Sequence, residues 1–222
     1  LDMQMLLEQH ESVLESTFPT MFSAKVDVVS GRTVPRKFER AAGETDIACA
    51  KAAHPKVLIP IFSGTNGEWD MGRAAKSAGF DVAYAAISDG SPADISSCAE
   101  QFASQLRKAH VLALAGGACA GDEPDGAGKW IASLLRLPVV QKEIEELLQK
   151  RGGLVLGVGN GFQALVRTGL LPFGRMVPAG EQTIALAKNK IGIHVSDIVR
   201  VHITSNKGPW LSKLRTGDVY NM

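Results

Sequence analysis

An α/β fold, a mostly parallel sheet with helices on both faces, is predicted by three features of the sequence. Short apolar runs at residues 56–62, 81–87, 110–115 and 154–158 have the length of buried strands. Stretches with helical patterning separate them, and strands alternating with helices make βαβ units whose strands run parallel. Glycine turns follow the third and fourth runs, Gly116-Gly117 and GVGNG at 157–161. In such sheets ligands bind at the carboxyl ends of the strands.

Composition sets the outer bounds. The chain has 222 residues, 45% of them hydrophobic and 21% charged, with a net charge of +1. That suits one domain with an extension, and a core large enough to need no staples. The near-neutral charge gives no reason to expect a nucleic-acid or membrane surface, and no run reaches the length of a membrane span. Cys49, Cys98 and Cys119 are odd in number and lack metal-ligand spacing, which points to a reducing cytoplasm rather than a disulfide framework. No bound metal is expected.

Residues 1–54 show no regular alternation and read as an N-terminal linker or extension. Leu6, Leu7, Val13 and Leu14 would line one face of a short helix ending near Pro19. Residues 55–222 form the second region. Its first strand, KVLIPIF, contains Pro60, so a ladder there would bulge or end early. A helix over 68–78 is closed by Gly79. The second strand, 81–87, precedes a helix that Asp94 would cap and that runs to about Ala109. The third strand ends in Gly116-Gly117 and leads into a polar loop at 118–128. A helix from about Lys129 is broken by Pro138, and a second helix at 139–151 carries paired charges. The fourth strand precedes a helix over 161–168. Residues 191–203 alternate enough for a strand or hairpin arm, expected at one edge of the sheet.

Four pieces converge on one chemistry. Gly116 and Gly117 let backbone N–H groups approach an oxyanion closely. In the second turn the apex is Gly159, and the amide of Asn160 at the helix start makes a second donor, helped by the helix dipole. A strand-turn-helix of this kind presents a nucleophile in acyl-transfer enzymes; Gly159 has no side chain to do so. Asn66-Gly67-Glu68 is able to bind a polar ligand. The loop with Asp122, Glu123 and Asp125 is able to orient an ammonium or amide, although such a loop is also what a solvated surface produces. His194 and His202, on an alternating segment, read as structural. Trp69, Trp130 and Trp210 read as packing residues. Cys119 reads as a small thiol rather than a displaced nucleophile.

Residues 60–70 (PIFSGTNGEWD), 116–131 (GGACAGDEPDGAGKWI), 157–165 (GVGNGFQAL) and 205–211 (SNKGPWL) together resemble class I glutamine amidotransferase domains. They are closest to the amidotransferase end of the large single-chain phosphoribosylformylglycinamidine synthases of purine synthesis. The resemblance runs from residue 56 onward. It implies a flavodoxin-like α/β fold and glutamine hydrolysis through a cysteinyl thioester. The ammonia released would feed a synthetase core of the same parent chain, where ATP and magnesium act; no cofactor is implied in this domain. It also implies that Gly117 and Asn160 are oxyanion donors and that Gly116, Asn66, Asp122 and Gln163 bind substrate. The family's nucleophilic cysteine falls on Gly159, and its histidine and glutamate would come after the last residue, Met222. The chain as written is therefore expected to be a C-terminally truncated, inactive glutaminase domain. The alternative is a non-catalytic module that stabilises or gates a synthetase partner. A flavodoxin-like nucleotide-binding domain ranks last, since the phosphate-loop and dinucleotide patterns are missing.

Overall fold

A computed structural model describes residues 2–12, 52–117, 121–123, 126–178, 184, 186–187, 189, 191–193 and 195–222. The readings of residues 13–51, with Val13, Leu14, Pro19 and Cys49, lie outside the described residues, as do those of Cys119, Asp125 and His194. The chain divides into two compact units, Leu1–Gly31 and Arg32–Met222. In the first, helix α1 spans Met3–Ser12 and starts where the Asp2 carboxylate accepts the Gln4 N–H at 2.9 Å.

The second unit is built on four strands, β1 (Lys56–Ile61), β2 (Asp81–Ala86), β3 (Val111–Leu114) and β4 (Leu154–Gly157). They lie in the order β2-β1-β3-β4 and every neighbouring pair is parallel. Successive side chains of a strand point to opposite faces. Leu58, Leu112 and Leu114 thus face one way, into a core with Phe102 and Leu106 of α3 (Pro92–Leu106). The same core takes Ile131 of α4 (Ala127–Leu135), Ile144 of α5 (Pro138–Gln149) and Ala164 of α6 (Asn160–Thr168). Val57, Ile59, Val111 and Ala113 face the other way, against Met71 and Ala75 of α2 (Glu68–Ser77). Helices thus occupy both faces, and the predicted α/β class holds.

Pro60 has the effect its chemistry dictates. Lys56 gives its carbonyl to His110 N on the β3 side, and Ile61 gives its own to Ile87 N on the β2 side. Alternation then turns Pro60 toward β3, where its missing N–H is felt. The β1–β3 register stops at Leu58↔Leu112, whereas β1–β2 continues to Ile61↔Ala86.

Local signals placed most boundaries. Ala78 and Gly79 end α2, and Pro138 occupies the first turn of α5. Two expectations need correction. The cap of α3 is Ser91, whose hydroxyl accepts the Asp94 N–H at 3.3 Å while Asp94 returns a bond to the Ser91 N–H at 3.0 Å. Asp94 is the third-residue partner of a capping box, because Pro92 sits best at the first helical position. Among the described residues, 191–203 also add no strand to the main sheet. Arg200–His202 (β5) pairs antiparallel with Val219–Asn221 (β6) in a separate two-stranded sheet. A nearby partner costs less chain-closure entropy than a distant edge. The free edge of β4 is met by a side chain: Trp210, in a short 3-10 turn (Pro209–Leu211), donates its indole N–H to the Val155 carbonyl at 3.1 Å. Helix α7 (Leu170–Phe173) was not foreseen. No described helix is long and apolar enough to cross a membrane.

Candidate functional site

The sheet order reverses between β1 and β3, and the loops leaving those two strands meet there. Asn66 N–H and Gly67 N–H both donate to the Gly116 carbonyl, at 3.1 and 2.9 Å. The turn after β4 closes on the same place. A Cβ on Gly116 would lie 2.8 Å from the Val158 carbonyl oxygen and 3.0 Å from Asn160 N, so a side chain there would force the loops apart. Gly117 packs against Asn66 as closely; its Cβ would stand 2.6 Å from Asn66 N.

Gly159 forms the apex, with φ 55° and ψ −119°. That backbone suits glycine and strains any L side chain. Among the described residues a Cβ would meet the Gly116 Cα at 3.3 Å, a tight approach that the neighbouring backbone must yield to by a few tenths of an ångström. The Asn160 N–H follows at the first position of α6, where the helix itself supplies no acceptor. Asn66, Gly116, Gly117, Val158 and Gly159 form the polar end of a cavity of about 660 Å³. Its floor runs over Val111, Ala113 and Leu156, and Trp210 stands at its wall.

The side chain of Asn160 adds what the sequence reading did not contain. It is 1% exposed. Its Oδ1 accepts the Gly117 N–H at 3.0 Å, and its Nδ2 donates to the Gly121 carbonyl and to Gln163 Oε1, both at 2.9 Å. Gln163 Nε2 donates to Asp122 Oδ1 at 2.7 Å. Arg167 pairs with Glu123 through both nitrogens that face it, Nε reaching Oε1 at 3.0 Å. Beyond it, Arg136 donates to the Arg167 carbonyl at 2.7 Å. Burial, and then the Arg167 charge, pull the Arg136 pKa below the ordinary arginine value.

The residues named from sequence therefore divide by position. Gly116, Gly117, Asn66 and Gly159 surround the cavity, with Asn160 beside it. Gln163 and Asp122 bond each other, and Gln163 also bonds Asn160. The Arg167–Glu123 pair was missed. A signal for it existed: Asn160, Gln163 and Arg167 recur at helical spacing on α6, a polar stripe on an otherwise apolar helix. Trp69 is exposed and stacks on Tyr84, Trp130 meets Phe62 edge-on in the core, and His202 is exposed on β5. Among the described residues no group of three or more His, Cys, Asp or Glu is arranged to hold a metal.

The family model of the CobB/CobQ-like glutamine amidotransferase domain matches residues 54–222. The chain belongs to this family. Phosphoribosylformylglycinamidine synthase subunit PurQ of Sulfurimonas denitrificans is 30% identical to the amidotransferase domain over 168 residues, which is 75% of the chain and 61% of that relative. The subunit of the same name from Dehalococcoides mccartyi is 40% identical over 89 residues, 40% of the chain and 32% of the relative. The chain thus spans under two thirds of the length of these relatives. The structure of PurLQS from Thermotoga maritima superposes with a TM-score of 0.52 at 22% identity, covering 76% of this chain and 65% of that one. This likeness carries the fold and agrees with the parallel sheet described above.

Proposed function

We propose that this amidotransferase domain is the glutamine-binding part of a phosphoribosylformylglycinamidine synthase. The observation that carries the reading is the shared hollow: Gly117 and the start of α6 at Asn160 stand together at the carboxyl ends of β3 and β4, beside the apex at Gly159. An amide carbonyl placed there would meet the Asn160 N–H and the positive end of a helix, whereas the Gly117 N–H, expected from sequence to be the other oxyanion donor, is taken up by Asn160 Oδ1. The PurQ relatives support the choice of parent enzyme. In that assembly, working in the cytoplasm, the partner would be the synthetase core, and ATP and magnesium would act there rather than in this domain.

The chain with Gly159 binds glutamine and does not form a thioester, since the apex has no atom to attack the amide carbon. Loss of a nucleophile removes several orders of magnitude of rate and leaves binding and oxyanion contributions. Gly159 equally favours a second reading, a non-catalytic module that stabilises or gates its synthetase partner. An electrophilic glutamine analogue, a γ-chloroketone, tests the site. The Gly159→Cys protein is expected to be alkylated at residue 159, with protection by L-glutamine, while the wild-type protein is not modified above its other thiols. A folded Gly159→Cys protein that is labelled no faster at 159 than at Cys98, or without protection, overturns the reading.

A further inference from the structure

Resting on the reading that the hollow holds the glutamine amide, we propose that Arg167 and Glu123 are positioning residues of the site. Asn160, Gln163 and Arg167 lie on one stripe of α6. They hold three consecutive loop residues in order, Gly121, Asp122 and Glu123. The first of them also holds the Gly117 N–H. The loop that borders the hollow at Gly117 is therefore pinned along α6, and the pin ends in an ion pair roughly 10 Å along the helix from Asn160.

The last bond is the strongest in kind. It joins two ionised groups through two parallel contacts, and the Glu123 side chain is only 4% exposed. Its carboxylate is wedged at a second helix as well: a Cβ on Gly128, in the first turn of α4, would lie 2.9 Å from Glu123 Oε1. A negative group at that end is favoured by the α4 dipole. Arg167 in turn is braced through its carbonyl by Arg136. The pair fixes Glu123 between two helices, and Glu123 fixes the height of residues 121–123 over the start of α6.

Two readouts on the intact chain test this. One is L-glutamine affinity by calorimetry. The other is amide hydrogen exchange at Gly117 and residues 121–123, set against Leu112 and Leu114 in β3. Arg167→Met is expected to raise exchange in the loop about tenfold, weaken glutamine about tenfold, and leave β3 unchanged. Arg167→Lys should recover most of both. Glu123→Gln, which keeps the shape and removes the charge, should act in the same direction and serves if Arg167→Met does not fold. Unchanged loop exchange in a folded variant overturns the proposal. So does a rise that is equal in loop and strand, which would make the pair a general structural prop. A wild-type chain that does not bind L-glutamine sinks the functional reading, and the exchange arm still decides the pin.

Discussion

The backbone N–H of Gly117 donates to the side-chain Oδ1 of Asn160 at 3.0 Å, tying the loop after β3 to the first residue of α6. The bond joins the loops that leave two neighbouring parallel strands, β3 and β4. It also gives Asn160 a role distinct from that of its own backbone amide. Asn160→Ala would strip the partner from Gly117 N–H, the Gly121 carbonyl and Gln163 Oε1 at once. Buried groups left unpaired each cost about 1–3 kcal/mol. Urea unfolding should show a loss of about 2–4 kcal/mol, and amide exchange should rise at Gly117 and at residues 121–123.

A residue with a side chain at position 159 is expected to fold and to be strained. The Cβ meets the Gly116 Cα tightly but without a hard clash, so most of the cost is conformational, about 1–3 kcal/mol for a non-glycine residue in that region of backbone space. Gly159→Ala and Gly159→Cys should lower the urea midpoint alike, with an unchanged slope. A loss in Gly159→Cys far beyond that in Gly159→Ala would mean that the thiol meets a steric barrier.

Gly116→Ala tests close approach rather than strain. Its methyl group would press on the Val158 carbonyl and Asn160 N and so spread the loops after β3 and β4. Glutamine affinity should fall about tenfold or more, while circular dichroism stays native because the helices are not touched.

The start of α3 should respond to acid. Hydrogen bonds from the Ser91 hydroxyl and then its backbone N–H hold the Asp94 carboxyl below its ordinary value of 3.8, against a small opposing effect of burial. A carboxylate with a lowered folded pKa stabilises fully above the unfolded value, and that contribution is lost as pH falls through the folded value. Wild type should therefore lose its advantage over Asp94→Asn below about pH 3.8, in unfolding curves and in the Ser91 amide shift.

The parallel sheet was legible because the strands are short apolar runs, most of them flanked by glycine or proline, and three of the helices between them meet a stop at Gly79, Pro138 or Gly152. Pro60, Gly79 and Pro138 act in the fold as their covalent chemistry requires. Asp94 was misassigned because Ser91 and Asp94 are both good caps taken singly, and only the reciprocal pair identifies the first helical residue. The β5–β6 pair was misplaced because alternation shows that a segment is extended, not which strand it joins. In the candidate site the glycines were legible from their turns. The side-chain ladder from Asn160 to Arg167 was not, since its partners lie some forty residues away in a loop without periodicity.

One ring carbon in a central strand reaches further than its position suggests. Where Pro60 withholds a hydrogen from β3, the two middle strands part before they end, like a zip stopped short of its top. Above that point the Gly116 carbonyl, shared by Asn66 and Gly67, ties the two loops together. The hollow thus opens just past the point where the β1–β3 ladder has run out, because a ring nitrogen has no hydrogen to carry it further.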